Sequence, residues 1–594
     1  MNSIVDFKSA DSSAGPLRVR FEQPLKVIAA WELAQVAEVL DRVESEARAG
    51  RWCVGAVSYE SAPAFDSSLP VHAPRQDWPL ARFAVYANAV PLPRDWGVSA
   101  DSSELSWSDW SFNCSREHYL RQALRAASAM TEGEAYQVNL TGALQTEFRG
   151  EPLHWMRRFK RAQPEAFMAW LDWGDQQILS VSPELFFHWD PVSGHLLCQP
   201  MKGTAERGAN PESDEQARQM LRDCPKERAE NVMIVDLLRN DMSRIARPAS
   251  VQVHHLFETQ AMPKVWQMTS TITAHTKGEH GLADVFRALF PCGSVTGAPK
   301  ASAMRWIHTL EDGPRGIYCG AIGVVRPGGV ATFNVPIRTV ALERMPSAPE
   351  TWRARYGVGS GLTVYANAER EWRELGAKAR ILLHTSGNFE LVETLRLDES
   401  RYWLLPEHQA RLQASAAHFG FPFDCAAATG ALDAVAQEHP AGLWRVRLTL
   451  ARSGKLTAHA QPLEATLEPV VFAVCPLPLE TAGFDSDFIC HKTTRRDHYD
   501  ARLRTDSGLF DTLLMNEREE LTEFTRGNLA IRKDGVWLTP PDGVGLLPGT
   551  YRARLLAGGT LVQKSLRLED LADADEIAFF NGLRGWLRAI WRQD

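Results

Sequence analysis

The sequence predicts a protein of mixed α and β structure, divided into at least two domains. Three observations carry this. The chain has 594 residues, too many for one hydrophobic core of ordinary size. Helical and strand periodicities alternate along it. The pattern breaks at "HTSGNFE" (384–390), and a new run of strand and helix follows. The boundary is therefore expected near residue 388, with a first domain over 1–387 and a second over 388–594.

In the first domain, "WELAQVAEVLDRVESEARAG" (31–50) has helical spacing and stops at Gly50, and "RWCVGAVSYES" (51–61) reads as a strand. "REHYLRQALRAASAM" (116–130) predicts a helix, and "AYQVNLTGALQTEF" (135–148) alternates as a strand. Residues 214 to 246 are rich in helix pattern. Strands return over "GIYCGAIGVVRPGGVATFNVPIRTV" (316–340), with "RPGG" as a hairpin turn. "LERMPSAPETWR" (342–353) reads as a second hairpin loop, and a helix over 367–383 closes the domain.

Composition narrows the function. Hydrophobic residues make 44% and charged ones 23%, as in soluble globular proteins. The net charge of −8 and the lack of a long basic run argue against nucleic acid or an anionic membrane as partner. No apolar stretch reaches the ~20 residues of a membrane helix, and the N-terminal segment has no signal pattern. Nine scattered cysteines with no C-x-x-C pair suggest neither a zinc site nor a disulfide framework. The expected compartment is the cytoplasm.

Several segments carry chemistry. Glu227 and Glu230 in "CPKERAENVMIVDLLRND" stand three apart, so their carboxylates share a helix face. Glu371 and Glu374 in "EREWRELGAKAR" repeat the spacing, with Lys378 one turn on. Two such helices facing one cavity suit Mg²⁺, a hard cation that takes oxygen ligands and keeps waters. On spacing alone, two solvated helix faces account for the pattern. "YGVGSGLTVY" (356–365) sets Gly357, Gly359 and Gly361 in a run that reads as a loop after a strand, where backbone amides can approach an anion. "FPCGSVTGAPKASAM" (290–304) is a Gly/Pro loop leading into a helix. "VPIRTV" (335–340) places Arg338 on a strand, suited to a two-point grip on a carboxylate. Lys202 lies in the tight, strand-like "QPMKGTAERG". Alone, it reads as a surface charge.

The ordered set is more specific. "YQVNLT", "SVSPELFF", "PMKGTAERG", "KERAENVMIVDLLRNDMSRIA", "FPCGSVTGAPKASAM", "RGIYCGAIG", "FNVPIRT", "GVGSG" and "EREWRELGAKA" follow one another in the order of the chorismate-utilising enzymes. Residues 20–383 resemble that family, which includes anthranilate synthase component I, isochorismate and salicylate synthases, and aminodeoxychorismate synthase component I. The resemblance implies an α+β domain of stacked antiparallel sheets with helices. The anthranilate-forming branch has alanine where Lys202 stands, and the aminodeoxychorismate branch has lysine. The resemblance thus implies a lysine nucleophile that attacks C2 of chorismate as the C4 hydroxyl leaves. Ammonia then adds at C4 to give 4-amino-4-deoxychorismate.

By the same matching, Glu184 of "SPE" is the general acid. Glu230 and Glu374 are direct Mg²⁺ ligands, and Glu227 and Glu371 hold the metal's waters. Tyr318, Arg338, Gly359, Ser360, Gly361 and Lys378 hold the two carboxylates of chorismate, and Gln137 and Thr204 line the site. Two positions depart from the family pattern. Met201 replaces an isoleucine, a mild apolar exchange. Gln267 in "VWQMTSTI" stands where many members carry histidine. No Gly-x-Cys-x-Gly elbow is present, so Cys292 reads as structural and ammonia is expected from solution or a separate glutamine amidotransferase chain.

The remainder, 389–594, is similar to the fold-type IV pyridoxal-phosphate enzymes on "ETLRL", "LLPEHQARLQASAAHFGF", "CHKTTRRDHYDARL", "FDTLLMNEREELTEFTRGNLAI" and "GLLPGTYRARLL". That family includes branched-chain and D-amino-acid aminotransferases and aminodeoxychorismate lyase. The resemblance implies a two-lobed α/β domain and pyridoxal 5'-phosphate held covalently by Lys492. It implies Glu523 against the pyridine nitrogen with Asn528 at family spacing, and the phosphate on Arg411 and the Gly549–Thr550 helix start. The usual Gly-Asp-Gly turn before "ETLRL" is missing. A lyase here would consume the first domain's product, releasing pyruvate and 4-aminobenzoate, a folate precursor. A true aminotransferase, or a docking module without catalysis, remains open for this half. For the first half the nearest rival is anthranilate synthase. A homodimer through the second domain is common in the family.

Overall fold

The computed structural model describes residues 2–10, 15–93, 96–97, 105–207, 211–262, 265–387, 389–481, 486–504, 506 and 508–593. The chain forms two compact units, one from residues up to Ile381 and one from Leu382 onward. Residue 388, where the sequence places the boundary, lies outside the described residues.

Among the described residues, the first unit is built on two antiparallel sheets of eleven and ten strands. The first sheet centres on a long pair, Gln137–Arg149 with Ala348–Thr363, in continuous register from Thr351↔Arg149 to Thr363↔Gln137. Toward Arg149 the former strand alternates buried and exposed, as a sheet with one wet face does. Toward Gln137 both faces are covered, and the alternation gives way to the run "QVNL". The helix Leu33–Arg48 buries Val36, Val39, Leu40, Val43 and Ala47, the stripe its spacing predicts. Gly50, at φ 86°, follows its end. Ser115 caps the helix Arg116–Thr131 by accepting the His118 amide at 3.2 Å. The helix-rich stretch resolves into Pro211–Asp223 and Pro225–Ser243, the second opened by a proline that lacks the N–H a helix start leaves unpaired. Trp155 packs fully buried against Trp107, Phe148 and Phe159, so its truncation to alanine would cost ~3–5 kcal/mol.

Three local expectations are corrected. The glycine run is no loop: Gly357, Gly359 and Gly361 lie within the Ala348–Thr363 strand, held there by its ladder with Gln137–Arg149. Arg338 is not on a strand. It sits at a bend with φ 51° just before the strand Thr339–Met345, because Pro336 brings no amide to a ladder and Ile337 turns back to bond the Val335 carbonyl. The strand after Gly50 ends at Val57, and Tyr59–Ser61 form a single 3₁₀ turn. Both hairpins are present: Gly328 and Gly329 take φ near 90° in the first, and the second joins Thr339–Met345 to Ala348–Thr363.

The second unit holds a four-stranded antiparallel sheet and an eight-stranded mixed sheet among its described residues. Leu391–Asp398 pairs with Leu443–Leu450 in the smaller sheet, and Leu395, Leu397, Val446 and Leu448 pack against Leu412, Phe419 and Leu432 of the helices Leu405–Phe419 and Cys425–Glu438. Phe472, Leu513, Phe524, Leu529 and Phe579 core the larger sheet. No described helix is long and apolar enough to cross a membrane.

Candidate active sites

In the first unit, the glycines of the long strand form a floor. A Cβ at Gly361 would lie 2.6 Å from Gln137 Nε2 and 2.9 Å from Lys202 Nζ. At Gly359 it would lie 3.0 Å from the Tyr318 hydroxyl, and at Gly357 it would enter the Tyr318 ring. Lys202, Gln137 and Tyr318, all candidate site residues in the sequence, therefore converge on one strand face. Gln137 is wholly buried, yet neither polar atom of its carboxamide finds a partner among the described residues. Such a group usually signals a missing ligand or water.

Lys202 reaches this face from the edge strand Met201–Glu206, which pairs with Val265–His275. Burial lowers its ammonium pKa, against the pull of Glu230. Glu184 follows the strand Gln176–Ser182 and is 3% exposed. Burial pushes its carboxyl up to about 7, against Ser294 and Lys202, and its Oε1 has no described partner. Ser294 was not singled out in the sequence. It sits in the 290–304 loop, where a serine carries no distinguishing signal.

The open edge of the long strand matters as well. Pairing with Thr339–Met345 stops at Tyr356, so Gly357 to Thr363 have no described strand on that side. Lys378 Nζ donates to the Gly359 carbonyl at 2.8 Å. A residue in an antiparallel ladder points its N–H and C=O the same way. The Gly359 amide, and the Gly361 amide two residues on, thus face that edge. A strand supplies the anion-facing amides expected of a loop. Ser360 points oppositely and donates to Glu371. Arg338 gives a guanidinium N–H to Gln163. Burial lowers the Arg338 guanidinium pKa, and the neighbouring Tyr356 hydroxyl donates to the Lys378 carbonyl at 3.2 Å.

The four glutamates stand on two helices, Pro225–Ser243 and Ala368–Ser386. Burial, then Glu230 and Glu374, raise Glu227; burial, with Glu374 adding to it, raises Glu371. Burial works against the charge of Glu374 too, but Lys378, Lys202 and Lys226 outweigh it and hold that carboxyl low. The carboxylates thus repel one another across the two helices, which suits a shared cation. No three of them converge within 4.8 Å. That spread fits a cation that keeps its waters better than a closed cage. Thr204 donates to Gln267 Oε1 at 3.0 Å rather than standing free.

In the second unit, Lys492 is stitched to the smaller sheet by its carbonyl, which accepts the Val392 amide at 3.1 Å. Burial lowers its pKa to about 8, and Arg411 and Arg496 add to this. Arg411 spends Nε and Nη2 on Glu393, at 2.8 and 2.6 Å, and Nη1 reaches the Pro548 carbonyl at 3.2 Å. It is thereby tied to the turn before Gly549, which caps the helix Thr550–Ala557. A Cβ at Gly549 would lie 1.9 Å from Asn528 Oδ1, so only glycine fits. His408 also pairs with Glu393, at 2.6 Å, and Glu393 is 1% exposed.

Glu523, on the strand Leu521–Phe524, accepts the Leu547 amide at 2.8 Å and faces Asn528 across the ladder. Asn528 Nδ2 reaches Glu523 Oε2 at 3.5 Å and the Leu547 carbonyl at 3.1 Å. Burial pushes Glu523 up to about 7, and it makes no ion pair among the described residues. A buried carboxyl beside a lowered lysine and a glycine-only helix start fits the pyridoxal phosphate that the sequence resemblance implies, since a cationic ring nitrogen would supply the missing counter-charge. Tyr499 was missed in the sequence. It lies seven residues past Lys492 in a basic stretch, and only the fold brings its hydroxyl to Glu523.

The model for chorismate binding enzymes matches residues 98–384, and that for class IV amino-transferases matches residues 390–590. Aminodeoxychorismate synthase component 1 of Salmonella typhimurium is 37% identical over 281 residues, 47% of this chain and 60% of that one. The chain thus spans about three fifths of that relative's length. Anthranilate synthase component 1 of Saccharolobus solfataricus is 30% identical over 344 residues, 55% of this chain and 79% of the relative. The solved anthranilate synthase component I of Streptococcus pneumoniae shares the fold, with a TM-score of 0.52 at 23% identity, over 61% of this chain and 90% of that one. The chain belongs to the chorismate-binding enzyme family and carries a class IV amino-transferase domain behind that region.

Proposed function

We propose that the chain makes 4-aminobenzoate in two steps, amination of chorismate in the first unit and elimination of pyruvate in the second. One observation carries the first step: the Lys202 amine and the Gln137 carboxamide meet over Gly361, and a buried, raised Glu184 lies close enough for its charge to act on that amine. A lysine with a lowered pKa is a nucleophile, and a carboxyl near 7 is a proton donor at neutral pH. Lys202 attacks ring C2, the double bonds shift, and the C4 hydroxyl leaves as water with the proton of Glu184. Ammonia adds at C4, the bonds shift back, and the lysine departs as free amine. Tyr318, Arg338, Lys378 and the Gly359 and Gly361 amides take the substrate carboxylates, with Ser360, Thr204 and Gln137 shaping the pocket. Glu230 and Glu374, with Glu227 and Glu371 holding waters, would hold a Mg²⁺ that would neutralise charge on a substrate carboxylate.

In the second unit Lys492, Arg411, Gly549 and Thr550 would hold the cofactor, and Glu523 with Asn528 would face its ring nitrogen. Bound pyridoxal phosphate supplies an electron sink. Lys492, near pH 8 in its pKa, moves the proton from C4. Loss of the enolpyruvyl group then leaves an aromatic amine. Ammonia comes from a separate glutamine amidotransferase. The reading carries folate synthesis in the cytoplasm as its setting and a homodimer through the second unit as its assembly.

The test is to give the full chain chorismate, Mg²⁺, ammonium and pyridoxal phosphate and separate the products. Equal 4-aminobenzoate and pyruvate support both steps. Aminodeoxychorismate alone removes the second step, and anthranilate removes the first.

A further inference from the structure

Lys202 stands on a bulge. Met201 faces Thr269 and Thr204 faces Gln267, so Lys202 and Gly203 together oppose the single Met268. Gly203 takes φ 85°, and a Cβ there would come within 2.9 Å of Glu227 Oε2. The bulge re-aims the lysine, and among the described residues its strand pairs on one side alone, in a ladder with Val265–His275. Gln267 grips it from that ladder. Its Nε2 donates to the Gly203 carbonyl at 2.7 Å, and its Oε1 accepts the Thr204 hydroxyl at 3.0 Å. The carboxamide thus spans the two residues that follow the lysine, using its donor end and its acceptor end at once.

We propose that Gln267 is a positioning residue for Lys202: its carboxamide locks the bulge and so fixes the amine against Gly361 and Gln137. This rests on the reading of Lys202 as nucleophile. An amide performs the task and its near-isosteres do not. A carboxylate at 267 sets an acceptor oxygen against the Gly203 carbonyl and keeps only the bond from Thr204, and leucine makes neither bond. An amine released from its direction loses near-attack geometry, for which a displacement of about 1 Å costs roughly 100-fold in rate. The groups proposed to take the substrate carboxylates are not bonded to Gln267, so its variants are expected to leave chorismate binding nearly unchanged, while Thr204 also lines the site.

The experiment uses the full chain. Wild type, Gln267→Leu, Gln267→Glu and Thr204→Val are mixed with chorismate and Mg²⁺ in ammonia-free buffer and acid-quenched, and the adduct on the Lys202 peptide is measured by mass spectrometry. Turnover with ammonium is measured beside it. Gln267→Leu and Gln267→Glu are expected to lose roughly 30- to 100-fold in kcat, with KM for chorismate within about twofold, and to lose adduct in parallel. Thr204→Val, which breaks one bond of the two, is expected to lose roughly tenfold or less and keeps the test alive if a Gln267 variant fails to fold. Wild-type kcat and full adduct in folded Gln267 variants, or a change confined to KM, would overturn the proposal alone. No adduct in the wild type would overturn the nucleophile reading, and this proposal with it.

Discussion

The Tyr499 hydroxyl donates to Glu523 Oε1 at 2.6 Å, on the same oxygen that accepts the Leu547 amide. Two donors thus share one oxygen of a buried carboxyl that burial holds near 7. The pair leaves the other oxygen to Asn528 and to any cationic group in front of it. Tyr499→Phe removes a hydrogen bond to the group that, under the proposed function, must ionise to pair with the cofactor ring. Retention of pyridoxal phosphate, followed by absorbance titration, is expected to weaken on the order of tenfold. Unchanged retention would mean that Glu523 does not carry its charge there.

The Glu184 carboxyl, raised to about 7, sets a pH limb. In the proposed first step its acid form must be present for the hydroxyl to leave, so Lys202 adduct formation is expected to fall as pH rises above about 7. Glu184→Gln is expected to flatten that limb and to lower the rate by roughly 100-fold or more. The measurement is rapid acid quench across pH 6 to 9 without ammonia. A limb that persists in the variant belongs to another group.

Gly361→Ala puts a methyl carbon 2.9 Å from Lys202 Nζ and 2.6 Å from Gln137 Nε2. First-step turnover is expected to fall at least about tenfold. The same variant supplied with aminodeoxychorismate reports on the second unit separately. Equal first-step rates would detach the glycine floor from the reaction.

How much of this was legible in the sequence depends on distance along the chain. Lys202, Glu184, Lys492 and Glu523 lie in short motifs whose order is specific, so they could be named before any fold was known. The Gln267 clamp could not. It joins positions 63 residues apart, and only the strand register brings Thr204 opposite Gln267. The glycine run was misread because alternating glycine lacks side chains that would show strand periodicity. Arg338 was misplaced because an apolar flank beside it looks like strand, while Pro336 ends the ladder.

Glu393 makes the second unit acid-sensitive. Burial opposes its charge, but Arg411 and His408 hold its pKa down at about 2, against an ordinary value of 4.5. A depressed carboxyl contributes stability that is present above the unfolded-state value and lost as pH falls through the folded one. The contribution is on the order of 3 kcal/mol. The second unit's thermal midpoint is expected to drop between pH 5 and 2. Glu393→Gln is expected to melt lower at pH 7 and to show a shallower fall below pH 5. Calorimetry of both proteins decides it.

Chelation separates the two steps. EDTA, or Glu374→Gln, is expected to stop adduct formation on Lys202 and leave the conversion of supplied aminodeoxychorismate intact, as pyruvate release would show. Loss of both reactions on chelation would place a metal requirement in the second unit as well.

The outward amides of Gly359 and Gly361 belong to an extended strand, and that makes them a gauge. Successive residues on one edge are spaced by about 6.8 Å, a length fixed by the pleat and clamped on the far side by a ladder of thirteen paired residues. A flexible cradle would close around acidic groups of many spacings and pay ordering entropy each time. A gauge meets a ligand already set and discriminates by dimension. Under the proposed function, molecules whose acidic groups fall short of the interval, or overshoot it, are expected to bind more weakly, with no motion of the protein needed to tell them apart.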